Sequence, residues 1–429
     1  MRPVVENLKE YLQQEVQLEG WVYNTRSSGS VQFILLRDGT GLVQAVASRK
    51  ALSPEAFALA KRLTQEASLR LRGFVREDTR APGGVELEVS DLELVGPSQD
   101  YPITPKEHGT AFLMEHRHLW LRSLRQTAIL RVRATIVKAM RDYMDGQGFT
   151  LVDAPILTPA AVEGTTTLFP VEYFNETAYL SQSGQLYNEA TCMALERVYC
   201  FGPAFRAEKS NTRRHLTELW MMEPEAAFFT YEDNIRLQEG LICYIVEQTL
   251  THRSRELEVL ERNSDALRKI TAPFPRIAYD DALNLLAEGG LELPWGEDLG
   301  APQEALLSCR YEKPVFLTHF PVACKAFYMK PDPHRPEVTL SADLLAPEGY
   351  GEIIGGSERI DSLELLEERI REHNLPIEPY RWYLDLRRFG SVPHAGFGIG
   401  VERTVAWICG LEHIRESIPF PRMLEKMYP

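Results

Sequence analysis

FGPAFRAEKSNTRRHLTELWMMEPE, residues 201–225, is the stretch on which the fold turns. Approached through Val198, Tyr199 and Phe201, it opens with strand character, passes through a polar loop holding Lys209, Arg213 and Arg214, and returns as a second strand from His215 to Glu223. The pattern predicts a hairpin with a charged tip. Side chains alternate along the return strand, so Thr217, Leu219, Met221 and Glu223 share one face and Leu216, Glu218, Trp220 and Met222 the other. Residues 219 and 223 then lie about 13 Å apart on one surface. Arg206 and two or three acids on a sheet face are costly to bury unpaired. Either they serve a site, or the hairpin is solvated and its charges face water.

A second stretch, HAGFGIGVERTVAWICGL (394–411), sets Gly396, Gly398 and Gly400 on a strand-to-helix corner, with Glu402 and Arg403 in the first helical turn. A dinucleotide loop would want an acid about 20 residues on and a parallel strand after it. The residues beyond Leu411 do not supply that unit. Taken with FRAE (205–208) and with GQGFTLVDAPIL (146–157), whose proline is Pro155, this stretch resembles motif 3 of the class II aminoacyl-tRNA synthetases, and the other two resemble motifs 2 and 1. The subgroup resembled is the aspartyl, asparaginyl and lysyl one. The resemblance implies an α+β chain with a catalytic domain built on an antiparallel sheet flanked by helices.

At 429 residues the chain is long enough for two or three domains. Its net charge of −14 argues against a generic nucleic-acid coat, so any RNA must meet local basic patches. Six cysteines without a CxxC pair read as buried, reduced thiols. No apolar run reaches eighteen residues and the first residues carry no signal-peptide core, so a soluble, cytoplasmic protein is expected.

Residues 15–97 alternate as three strands, a helix over PEAFALAKRL and two more strands, an order that suits an OB-fold barrel. Its second and third strands carry Phe33 and Gln44, with Arg26 nearby: a stacking ring, a base-reading amide and a cation, unless Phe33 is simply core. The resemblance implies an anticodon-binding domain over 1–98, in which a Phe and a Gln at these positions hold a uridine. Residues 99–122 read as a Pro-punctuated linker, and 123–429 as the catalytic domain. Ile129, Val132, Ile136, Val137, Met140 and Tyr143 mark an amphipathic helix ended by Gly146 and Gly148. In the family that helix and the strand with Pro155 build a homodimer interface.

The remaining assignments follow from the resemblance. In VEGTTTLF and YLSQSGQLYNEA, Glu163 and Gln185 match residues that contact the substrate ammonium. Asn188 stands where aspartate enzymes carry a lysine for the substrate carboxylate. Arg206 would hold the α-phosphate of ATP, Arg403 would lie over the adenine, Arg214 and His215 would reach the γ-phosphate, and Glu208 would contact the adenine or the tRNA end. Leu219 replaces the usual adenine-stacking Phe. Asp343 and Glu352, on strand-like segments flanking a Pro-Gly turn, match a Mg²⁺ site. Glu223 would accept from a side-chain amide, and Arg359 would donate to its oxygen. Catalysis in such a site is positioning and charge stabilisation, with no protein nucleophile. The expected reaction is ATP-dependent joining of asparagine to its tRNA through an adenylate. The alternatives are an aspartate enzyme of the insertion-free type, an inactive relative that binds tRNA, and an asparagine synthetase, whose kind lacks the barrel.

Overall fold

The structure is a computed structural model describing residues 2–162, 167–210 and 212–429. It divides into two compact units, with the break after Met114.

The first unit is a closed five-stranded barrel of β1 (Glu15–Ser28), β2 (Val31–Arg37), β3 (Leu42–Ser48), β4 (Ser68–Glu77) and β5 (Val85–Gly96), in the order β1-β2-β3-β5-β4. Helix α1 (Pro54–Lys61) joins β3 to β4 and is capped by Ser53, whose hydroxyl accepts from the Ala56 amide. Alternation fills the barrel with Val16, Leu18, Val22, Ile34, Leu36, Val43 and Ala45. Phe33 and Gln44 belong to the opposite set and face outward, half-buried. Phe33 is therefore not core. The register sets Arg26 opposite Phe33, and the Arg26 guanidinium lies 4.8 Å from the ring centroid.

The second unit contains an eight-stranded sheet. Its elements begin with α2 (Leu124–Gly146) and β6 (Thr150–Leu151), followed by α3 (Gln185–Leu195), β7 (Arg197–Phe205), β8 (Glu218–Ala227) and α4 (Tyr231–His252). Then come β9 (Arg276–Ala278), β10 (Val315–Thr318), β11 (Ser341–Ala346), β12 (Gly351–Glu358), α5 (Arg381–Arg388), β13 (His394–Gly400) and α6 (Val401–Cys409). The strand order is β9-β10-β11-β12-β13-β8-β7-β6, antiparallel except at its two ends.

One face of the sheet is covered by α2, α4 and α6. Ile129, Val132, Ile136 and Met140 of α2 meet Met222 and Ala226 of β8, Phe397 and Ile399 of β13 and Trp407 of α6 in one apolar cluster. The other face carries the alternate residues of the same strands: Met221, Glu223 and Glu225 on β8, and Gly396, Gly398 and Gly400 on β13.

Several expectations shift. The return strand starts at Glu218 and runs on to Ala227, because residues 212–217 bend before pairing begins. Pro155 lies in an irregular segment between Thr150–Leu151 and Leu157–Thr158, since a proline cannot donate to a sheet ladder. Gly396 and Gly398 sit inside β13, and only Gly400 is at the corner. The cysteines are free, with Cys192, Cys200 and Cys409 buried, but Cys243 and Cys324 are half-buried and Cys309 is exposed.

The inner glycines are there for space. A Cβ on Gly396 would sit 2.1 Å from Glu225 Oε2 and 2.3 Å from the Pro224 carbonyl, whereas one on Gly400 would meet nothing nearer than 3.9 Å. Gly396→Ala should therefore lower the unfolding free energy by about 1–3 kcal/mol, and Gly400→Ala should change it by less than about 1 kcal/mol. Urea denaturation of the two variants checks the contrast.

Candidate active site

Above the glycine face two cavities meet. The first, about 280 Å³, is lined by Gln185, Glu223, Lys325, Asp343 and Arg359 among others. The second, about 330 Å³, is lined by Glu208, Arg214, His215, Leu219 and Arg403 among others. Arg206, Met221, Glu352 and Gly398 line both, so the cavities share a wall. Leu219 and Glu223 lie one in each cavity because period-two alternation on β8 brings both to the same face, with Met221 between them.

The polar groups of the first cavity are held from behind. Glu223 accepts from the Gly184 amide at 2.9 Å and from the Ser183 hydroxyl. Arg359, 1% exposed, forms a two-pronged pair with Glu225 through Nε at 3.0 Å and Nη2 at 2.9 Å, and Nη1 donates to Ser357 Oγ at 2.8 Å. That uses three of its five N–H groups, leaving one on each terminal nitrogen. Burial opposes the charge of Arg359, but Glu225 outweighs it and strengthens the guanidinium's hold on its proton.

The two acids expected to hold a cation are close together. Oε1 of Glu352 and Oδ1 of Asp343 lie 3.0 and 3.4 Å from one point above Gly355. Each carries a protein cation: Lys325 Nζ lies 2.7 Å from Asp343, and Arg403 Nη1 lies 2.7 Å from Glu352. Burial alone would push the Glu352 carboxyl up, but Arg403 and Lys325 hold it below the usual range. Two carboxylates that leave room for phosphate and water oxygens fit the donor chemistry of Mg²⁺. In the second cavity, Arg214 binds Glu304 at 3.1 Å and the Gly349 carbonyl. Burial and the neighbouring Arg403 lower the affinity of His215 for a proton, and its Nδ1 faces Thr212 Oγ1 at 2.5 Å.

Most of the sequence-derived residues thus converge. Arg206, Glu208, Arg214, His215, Leu219, Glu352 and Arg403 share one cavity, and Gln185, Glu223, Asp343 and Arg359 share the other. Asn188 does not open onto either. Its Nδ2 donates to the Glu223 carbonyl at 2.7 Å and lies 3.1 Å from Cys200 Sγ, so it backs the wall rather than forming it. Arg403 is drawn to Glu352 rather than lying free over an adenine site. Glu163 lies outside the described residues. The barrel carries Arg26, Phe33 and Gln44 on its outer surface, where Gln44 Nε2 also meets Glu86 at 3.1 Å.

Sequence reading missed Glu225, Lys325, Glu304 and Ser183. Glu225 continues the 219-221-223 alternation and was within reach of that pattern. Lys325 stands alone in HFPVACKAFYMKPD, and nothing local marks it.

Comparison with known proteins agrees with this arrangement. The family described as tRNA synthetases class II (D, K and N) matches residues 110–424, and the OB-fold nucleic acid binding domain matches residues 16–95. Over 426 residues and 99% of each chain, the sequence is 59% identical to an asparagine–tRNA ligase of Pelotomaculum thermopropionicum. It is also 59% identical to that of Chloroflexus aurantiacus, over 99% of this chain and 98% of the relative. The asparaginyl-tRNA synthetase of Pyrococcus horikoshii in complex with asparaginyl-adenylate superposes with a TM-score of 0.97 at 44% identity, covering 100% of both chains. A putative aspartyl-tRNA synthetase of Leishmania major superposes with a TM-score of 0.86 at 26% identity, over 99% of this chain and 94% of that one.

The Lys325–Asp343 pair lends itself to a direct test. Lys325→Met leaves the Asp343 carboxylate without its cation and should lower stability by about 2–4 kcal/mol, the lower part of the range reflecting water in the cavity. Adding Asp343→Leu should regain most of that loss, as read by denaturant midpoints of the single and double variants.

Proposed function

The chain belongs to the class II tRNA synthetases of the aspartate, lysine and asparagine group, and we propose that its two joined cavities divide the family's reaction between an amino-acid end and a nucleotide end. It is an ATP-dependent enzyme that joins asparagine to tRNA through an asparaginyl adenylate. The aspartate alternative is not favoured by its relatives.

In the first step a carboxylate oxygen of asparagine attacks the α-phosphorus of ATP and pyrophosphate leaves. In the second, a ribose hydroxyl at the tRNA end attacks the adenylate carbonyl and AMP leaves. Both are displacements that need alignment and charge stabilisation. Arg206, which lines both cavities, would meet the α-phosphate, where negative charge gathers. Leu219, Glu208 and Arg403 would bound the adenine, and Arg214 and His215 the outer phosphates. Asp343 and Glu352 would hold Mg²⁺, which offsets charge on the pyrophosphate oxygens. Arg403 and Lys325 must then release those acids, and the phosphates offer both cations a new partner.

At the amino-acid end, the two remaining N–H groups of Arg359 donate to the side-chain oxygen of asparagine, and Glu223 accepts from its NH₂. Glu223 is held at the cavity wall by the Ser183 hydroxyl, the Gly184 amide and the Cys200 thiol. Gln185 and Glu163 would receive the ammonium. Arg26, Phe33 and Gln44 would read the anticodon. The proposed domain limits are 1–98, 99–122 and 123–429, while the compact units divide after Met114. A homodimer built on α2 and the segment after it suits the exposed Leu151, Ile156 and Leu157. Among the described residues no helix is long and apolar enough to cross a membrane, and a cytoplasmic location would give the enzyme its tRNA and ATP together.

The observation that carries this reading is that Arg206 and Glu352 line both cavities while Glu223 and Arg359 present one acceptor and one donor in the first. Pyrophosphate exchange driven by each amino acid tests it: asparagine should support exchange, and exchange with aspartate alone would overturn it. In the same assay Glu223→Gln should raise KM for asparagine about tenfold or more and leave KM for ATP within about twofold. Leu219→Phe should lower KM for ATP about fivefold, the worth of one added aromatic stack.

A further inference from the structure

Behind the amino-acid cavity lies a second charged cluster that the reaction does not touch. Glu189, on α3, is fully buried. Its Oε1 accepts from Gln185 Nε2 at 3.1 Å and from the Tyr383 hydroxyl at 2.8 Å. Its Oε2 accepts from Arg387 Nη2 at 2.6 Å and faces His394 Nε2 at 2.9 Å. The other ring nitrogen of His394 faces the Val392 carbonyl at 2.8 Å. Glu189, Glu225 and His394 bring their ligand atoms within 4.8 Å of one another, as a metal site would. Arg387 and Arg359, however, already supply the positive charge there.

Gln185 and Glu189 are one helical turn apart, so their side chains meet. An ionised carboxylate can only accept. Burial works against the charge of Glu189, but Arg387, His394 and Arg359 outweigh it and hold its carboxyl well below the usual range. The Gln185 amide therefore has one stable orientation, with NH₂ toward Glu189 and Oε1 turned away. Gln185 lines the amino-acid cavity, and among the described residues nothing donates to its Oε1.

We propose that Glu189 is a positioning residue for amino-acid recognition: it fixes the Gln185 amide so that the carbonyl oxygen, and not the NH₂, meets the ammonium of the substrate. This rests on the reading of Gln185 as an ammonium contact. Without Glu189 the amide could turn and point a donor at a cation.

Glu189→Gln in the full-length chain tests the idea. A glutamine there keeps its oxygen on Arg387 and turns its own NH₂ to Gln185, which must then flip. The probes are asparagine and its α-hydroxy counterpart, whose hydroxyl accepts as readily as it donates. KM for asparagine should rise about tenfold or more, the preference for asparagine over the hydroxy acid should fall by a similar factor, and KM for ATP should stay within about twofold. General damage to the pocket would instead weaken both ligands equally, and that result, or an unchanged preference, overturns the proposal. Gln185→Met serves as the reference. If it too keeps the preference, the reading of Gln185 itself fails; if it loses the preference while Glu189→Gln keeps it, only the role of Glu189 fails. Should Glu189→Gln not fold because Arg387 is left buried without a counter-charge, the charge-neutral pair of Glu189→Gln with Arg387→Met carries the same measurement.

Discussion

Arg359 and Arg387 enter the interior of the second unit against Glu225 and Glu189, and the shape of the amino-acid end depends on that balance. The residues come from far apart in the chain: Glu189 from α3, Glu225 from β8, Arg359 just past β12 and Arg387 from α5. Removing one member of such a pair leaves an uncompensated buried charge, at a cost of about 3–5 kcal/mol. Apolar residues of similar volume would hold these elements together as well or better. What apolar residues could not do is aim a guanidinium. Glu225 takes the side edge of Arg359 and Ser357 one end nitrogen, which leaves a defined pair of N–H groups for a ligand.

The pairs along the two cavities follow a different rule. Arg403, Lys325 and Arg214 are paired with Glu352, Asp343 and Glu304, in sites partly open to those cavities. Their side chains are 10–33% exposed, whereas those of the Arg359–Glu225 and Arg387–Glu189 pairs are 0–2% exposed. A polyphosphate entering the cavity would meet cations already held in place, so less reorganisation would remain for the reacting complex.

Much of this was legible in the chain. The barrel order, the alternation on the hairpin and the α2 stripe each follow from periodicity, and Leu219, Met221 and Glu223 fell into the two cavities because strand alternation carried them there. The failures have physical reasons. Asn188 was assigned by its position in a motif, but α3 turns its amide toward the Glu223 carbonyl, and no local pattern reports which way a helix faces. Lys325 reaches the site from a segment with no regular pattern and Glu304 from the first turn of a short helix (Ala301–Ser308), and their partners are 18 residues away for Lys325 and 90 for Glu304. The start of β8 was placed too early because the polar hairpin loop has residues of strand-like character on its return side.

A cavity lined by so many charges selects a neutral side chain because the charges cancel one another before any ligand arrives. Arg359 lines the cavity while buried in an ion pair with Glu225, which weakens its pull on a free carboxylate. Glu223 adds a carboxylate beside it, accepting from Ser183 and Gly184. An amide satisfies both with one oxygen and one NH₂. A carboxylate in the same place sets an oxygen against Glu223, with no proton between them. The penalty falls on the wrong substrate as a mispaired buried group, which discriminates far better than size between two nearly isosteric side chains.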